Sequence, residues 1–203
     1  MAYTAVSTKR RGIDPAISRQ RVLDAAEQLI LAGEFATATV TELADRAGVS
    51  RATVFSRFGS KLGVLQELCV RCSGGPEMRA IHAALAIDDP VEAVVAMVEA
   101  SCNHWERQGH ILLTLKAVVE LEPGVVQLID DQRQEQRAGM EHLARGLHDA
   151  GHLDGLSVAE AASALHLLTS VESFMELRRN AGLSLPATKK VLHAMVARTF
   201  DLP

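Results

Sequence analysis

Residues 39–61 read TVTELADRAGVSRATVFSRFGSK, and this stretch decides the fold. Thr39 and Glu42 form a T-x-x-E capping box, which opens a helix carrying Leu43, Ala44 and Ala47 on its apolar side. Gly48 ends that helix, since glycine lets the chain bend without a Cβ clash. Ser50 then caps a second short helix, with Val54, Phe55 and Phe58 as its apolar residues. Gly59 breaks the run, and Ser60 caps a longer helix holding Val64, Leu65 and Leu68. Helices this short are marginal alone. Two in succession around a glycine turn read as a helix-turn-helix, whose second helix offers its first residues to the edges of bases. Those residues are Arg51, Ala52 and Thr53, followed one turn later by Ser56 and Arg57. An arginine fork matches guanine, and a threonine methyl matches thymine.

Working outward, a helix begins at Asp14-Pro15 or Ser18 and runs to about Ala32. Val22, Ala25, Ala26, Leu29 and Ile30 recur at three- and four-residue spacing, and Gly33 is the stop. Residues 1–12 end in Lys9, Arg10 and Arg11 and read as a flexible basic arm. Residues 1–72 hold ten Lys/Arg against seven Asp/Glu, a balance of +3, and residues 73–203 hold eleven against eighteen, a balance of −7. A basic head on an acidic body is the asymmetry expected when one end meets a polyanion.

The chain has 203 residues, 48% of them apolar, but only Trp105, Tyr3 and five phenylalanines are aromatic. A core of Leu, Val, Ala, Ile and Met suits packed helices, and no alternating run bounded by hairpin turns suggests strands. The expected fold class is therefore all-α. The N-terminus lacks a signal-peptide core and no apolar run reaches the ~18 residues that span a bilayer. A cytoplasmic protein with no membrane partner is expected. Three cysteines, Cys69, Cys72 and Cys102, fit free thiols in a reducing compartment.

Further along, Gly74-Gly75-Pro76 ends or kinks the fourth helix. Asp89-Pro90-x-Glu92 starts another, expected to reach Trp105–Gln108. Residues 110–121 are apolar on almost every face and are expected to be buried. Pro123-Gly124 breaks that segment, and a long helix follows to about Ala150. Ser157-x-x-Glu160 is a second capping box, opening a helix expected to continue to about Asn180. Ser184-Leu185-Pro186 opens the last, which ends near Phe200.

The stretch from Thr39 to Leu65 resembles the DNA-binding domain of the TetR family of transcriptional regulators. The matching positions are Thr39, Val40, Leu43, Ala44, Ala47, Gly48, Val49, Ser50, Thr53, Phe58, Lys61 and Leu65, preceded by the Gly33-Glu34-Phe35 turn. The likeness covers residues 18–68. It implies an N-terminal three-helix helix-turn-helix domain followed by an α-helical ligand-binding and dimerisation domain. The expected division is an arm and helix start at 1–17, a DNA-binding domain at 18–60, and an effector and dimer domain at 61–203, with helix 61–74 as connector. The resemblance also implies phosphate contacts from Thr41, Thr53 and Lys61, and base contacts from Arg51, Ala52, Ser56 and Arg57. Phe55 stands where the family usually has a phosphate-binding tyrosine. The missing hydroxyl removes one hydrogen bond, about 0.5–1.5 kcal/mol, for which Arg57 is the candidate replacement.

In such proteins the last two helices of two subunits pack together. Here Leu165, Leu168 and Val171, with Leu192, Met195 and Val196, form stripes that serve either an internal core or a homodimer seam; the resemblance favours the seam. In the long helix 124–149, Ile129, Met140, Leu143 and Leu147 share a face that Arg133 and Gln136 interrupt. That break marks either an effector contact or the place where the helix leaves the core. Met97, Trp105, Met140, Phe174 and Met175 are candidate pocket walls, suited to a small apolar effector.

The expected function is a sequence-specific regulator, a repressor released from a near-palindromic operator in double-stranded DNA by that effector. The alternatives are a regulator without an effector, or an all-α small-molecule binding protein with an incidental helix-turn-helix. No nucleophile–base pair or phosphate loop points to an enzyme, and no cofactor is expected. Cys69-x-x-Cys72 shares a helix face but sits late in its helix, where thiol pKa values are not lowered. Cys102, His104 and His110 match no compact metal-ligand spacing.

Overall fold

The computed structural model describes residues 14–72, 74–119, 123–153 and 155–203. The basic arm at 1–12 therefore lies outside the described residues, as does the side chain of Ile129. The described residues are helical, with no strand among them. The chain divides into two compact units, Met1–Val64 and Leu65–Pro203. That division falls inside the fourth helix, four residues beyond the expected boundary at 60.

The first unit is built by three helices and the start of a fourth. Helix α1 (Pro15–Leu31) is capped by the Asp14 carboxylate, which accepts from the Ala16 N–H, and Pro15 sits at its first turn. It buries Val22, Ala25, Ala26, Leu29 and Ile30, the stripe that the spacing predicts, together with Leu23. After Gly33 the chain folds back, and Leu29 O accepts from both Glu34 N and Phe35 N. Phe35 is buried there. Helix α2 (Val40–Ala47) carries the full capping box: Thr39 caps Glu42 N, and the Glu42 carboxylate accepts from Thr39 N at 2.7 Å. Gly48 closes it in the left-handed conformation, φ 64°, which a side chain would resist. Helix α3 (Arg51–Phe58) starts at the Ser50 cap and buries Val54 and Phe58. Helix α4 (Lys61–Cys72) starts where the Ser60 hydroxyl accepts from Gly63 N at 3.0 Å.

The second unit is a layered helical assembly. Helix α5 (Pro76–Ala84), not anticipated as a separate element, follows Gly75 in a positive-φ conformation. Helix α6 (Pro90–Val119) is followed by α7 (Pro123–Asp149), α8 (Val158–Leu168), α9 (Val171–Met175), a π-helical turn (Glu176–Asn180) and α10 (Leu185–Thr199). The core joins Val94, Met97, Val98, Leu143, Ala144, Leu147, Leu165, Phe174, Leu192, Val196 and Phe200. All eight histidines of the chain lie in this unit.

Three expectations about this unit need correction. The helix expected to stop near Gln108 runs unbroken through Gly109 to Val119. Gly109 is a packing position: a Cβ there would meet Met175 Sδ and Val171 Cγ2 at 3.2 Å each, so its hydrogen lets α9 approach α6. Residues 110–116 are amphipathic, with Ile111 and Leu115 buried, Leu112 and Leu113 half-buried, and His110 and Lys116 exposed. Lastly, the helix expected from Ser157 to Asn180 breaks at Thr169. The Ser170 hydroxyl accepts from Ser173 N at 3.1 Å and restarts it as α9. Two hydroxyls that bond the local backbone offer the chain an alternative to a continuous helix.

Candidate nucleic-acid interface

Helix α3 has one buried and one solvent-facing side. Val54 is fully buried and Phe58 nearly so, which anchors the helix in the first unit. Arg51, Ala52, Ser56 and Arg57 point to solvent, and Thr53 is half-buried. The four residues assigned to bases thus lie on the exposed side, and Thr41 on α2 is exposed as well. Hydroxyls order the start of the helix: Ser50 Oγ accepts from Thr53 N at 3.1 Å and lies 2.8 Å from Thr53 Oγ1. Ser56 Oγ donates to Thr53 O at 3.1 Å.

The cations differ in how they are held. The Arg46 guanidinium on α2 is paired with Glu34 at 3.0 Å. Arg57 has no side-chain hydrogen bond or ion pair among the described residues. Arg51 lies over the Phe55 ring, its Cζ 5.2 Å from the ring centroid. Lys61 is half-buried; its ammonium donates to Ala36 O at 2.9 Å and stands 4.8 Å from the Phe35 centroid. Neither cation–aromatic pair was anticipated from the sequence. The Arg51–Phe55 pair was open to detection from its i, i+4 spacing, whereas Lys61–Phe35 spans 26 positions and had no local signal.

In the second unit the expected pocket walls are close-packed. Met97, Met140 and Phe174 are buried in the core, with Trp105 and Met175 packed against it. Trp105 Nε1 donates to Thr169 O at 2.7 Å, and Thr169 Oγ1 lies 3.9 Å from Met140 Sδ. Arg133 is exposed and paired with Asp130 at 3.3 Å, and Gln136 is half-buried. An open groove of about 480 Å³ lies elsewhere, bordered by Leu85, Ile87, Pro90, His142, Arg145 and Asp149, and touches none of these residues.

The stripe residues of α8 and α10 split into two groups. Leu165, Leu168, Leu192 and Val196 are buried in the protomer's own core. They belong to the internal alternative, because a side chain packed inside one subunit has no surface left for another. Val171 is half-buried, Met195 is 46% exposed, and Leu167, absent from the predicted stripe, is 61% exposed.

The thiols are buried, and burial pushes Cys69 and Cys102 up to about 11. Such thiols are poor nucleophiles. Burial also lowers the pKa of His104, whose Nδ1 has no partner among the described residues. No metal-holding cluster of His, Cys, Asp and Glu occurs among the described residues.

Comparison with known proteins places this geometry. Residues 22–68 match the profile of bacterial regulatory proteins of the tetR family. The chain is 37% identical over 104 residues to TtgW of Pseudomonas putida, an uncharacterised HTH-type transcriptional regulator, covering 51% of this chain and 77% of TtgW. The chain belongs to the TetR family of transcriptional regulators. It is likewise 37% identical over 104 residues to the HTH-type transcriptional regulator SrpR of Pseudomonas putida, covering 51% of this chain and 48% of SrpR. With three of the curated regulators it matches, the shared region spans only about a quarter to a half of their length. The TetR-family fold extends through both units: PfmR of Thermus thermophilus aligns with a TM-score of 0.71 at 22% identity, covering 90% of this chain and 95% of PfmR. No described helix is long and apolar enough to cross a membrane.

Proposed function

We propose that the protein is a sequence-specific DNA-binding repressor that acts as a homodimer and leaves its operator when a small apolar effector binds. The single observation that carries DNA reading is the division of α3, with Val54 and Phe58 buried and Arg51, Ala52, Ser56 and Arg57 exposed. A polar, cationic face on a helix anchored from behind is the arrangement that enters a major groove. Thr41, Thr53 and Lys61 are the proposed phosphate contacts. Leu167 and Met195 are the proposed centre of the dimer seam, since exposed large apolar side chains on adjoining helices favour burial against a second copy. The effector would enter the second unit around Trp105, Met140 and Met175.

Selection of random duplex DNA against the purified protein at moderate salt tests this reading. The expected result is a near-palindromic site with half-sites about one helical turn apart, bound with an affinity that falls steeply with salt. Retention without sequence preference would overturn it. A regulator without an effector is the second reading, favoured by the close packing of Met97, Met140 and Phe174. Apolar ligands that raise the melting temperature and release the selected DNA would exclude that alternative.

A further inference from the structure

Phe55 is 41% exposed, on a helix whose other phenylalanine, Phe58, is buried. A large ring left in solvent is not core. Its face is instead covered by the Arg51 guanidinium one turn earlier, 5.2 Å from centroid to Cζ. A guanidinium held over a ring by cation–π attraction keeps its N–H donors available. Phenylalanine, unlike tyrosine, offers no oxygen that could capture those donors. The other arginines of α2 and α3 lack this arrangement: Arg46 is paired with a carboxylate, and no hydrogen bond or ion pair holds the Arg57 side chain among the described residues.

We infer that Phe55 is a positioning residue for base recognition, holding the Arg51 guanidinium so that its fork meets one guanine in each half-site. The inference rests on the DNA-reading proposal above and adds which base is read and what holds its reader. An arginine restrained before binding loses less rotamer freedom on contact, which sharpens discrimination at the base it touches. A bidentate fork selects guanine through O6 and N7. Arg57, unrestrained, contributes less sequence preference than Arg51.

Two measurements test this. In the free protein, Arg51 side-chain protons should show upfield ring-current shifts by NMR, and Phe55→Leu should abolish them with the melting temperature and circular dichroism retained. On the DNA selected by the wild-type protein, Arg51→Ala identifies the base pair that Arg51 reads. Phe55→Leu should weaken binding about two- to five-fold, the range for an exposed cation–aromatic contact, and lower discrimination at that base pair alone. Phe55→Trp should restore it, and the Arg51→Ala/Phe55→Leu double variant should bind like Arg51→Ala. Uniform weakening across all base substitutions, additive effects of the two changes, or absent ring-current shifts would each overturn the inference while leaving DNA reading intact. Failure of the wild-type protein to select any site would overturn both.

Discussion

The indole N–H of Trp105 donates to the carbonyl of Thr169 at 2.7 Å. That carbonyl belongs to the residue where α8 ends, so it has no helical N–H of its own to accept from. The bond therefore joins α6 to the break between α8 and α9, and Thr169 Oγ1 secures the same corner by donating to Leu165 O at 2.7 Å.

Trp105→Phe keeps an aromatic ring but removes the donor. Leaving the Thr169 carbonyl unmatched is expected to lower stability by about 1–3 kcal/mol, read as a lower urea midpoint at unchanged slope. An unchanged midpoint would mean that water replaces the indole. Trp105 is also the sole tryptophan, so in the wild-type protein its fluorescence reports directly on this corner.

Gly63 lies in the first turn of α4. A Cβ there would stand 1.9 Å from the Phe58 carbonyl oxygen and 3.0 Å from its carbon. Both are backbone atoms and cannot swing away. Gly63→Ala is expected to displace the α3–α4 turn, lower the melting temperature and abolish specific DNA binding. Gly155→Ala is the control, since its Cβ meets nothing within 4 Å and its cost is about 1–2 kcal/mol, from positive φ alone.

Lys61 is bound to the loop after α1 through Ala36 O and the Phe35 ring. Lys61→Ala is expected to weaken binding nearly equally on all DNA sequences and to flatten the salt dependence by about one unit. It should also lower the stability of the first unit. Stability loss with an unchanged salt slope would make the lysine a structural tie only.

The contrast between these sites shows how far the sequence could be read. The caps at Asp14, Thr39, Ser50, Ser157 and Ser184 act on N–H groups two or three residues away, so the chain states them locally. Gly109 carries the same letter as Gly48, yet one packs inside a helix and the other ends one. The difference lies in Met175 and Val171, more than sixty residues away. The Thr169 carbonyl freed by the local break is likewise met by a donor far along the chain, the Trp105 indole. Periodicity found the apolar stripes of α8 and α10, but a stripe does not say whether it faces the same subunit or another.

That last ambiguity has a direct test. Leu165 is fully buried and Leu167, two residues on, is 61% exposed. Leu165→Ala is expected to lower stability by about 2–5 kcal/mol through cavity formation. Leu167→Glu, combined with Met195→Glu, is expected to leave the fold intact and yield a monomer by sedimentation. If the doubly charged variant remains a dimer, the seam lies on another face.

Glu106 is held below its ordinary value of 4.5, first by the hydrogen bonds from Arg178. The contacts are 2.7 Å and 2.8 Å, and Arg178 also donates to Leu183 O. Below 4.5 the unfolded chain takes up this proton before the folded one does. The pair's stabilisation is therefore complete above that value and lost as pH falls through the depressed one. Glu106→Gln should lower the urea midpoint at neutral pH and lose that difference in acid. A difference that persists undiminished in acid would assign the effect to packing.

The confinement of all eight histidines to Leu65–Pro203 separates two kinds of signal. No side chain of the DNA-reading unit has an ordinary pKa between pH 6 and 8, so the charge that its side chains present to phosphate is constant there. If DNA binding responds to mild acid, the signal does not come from the side chains of the unit that carries the helix-turn-helix.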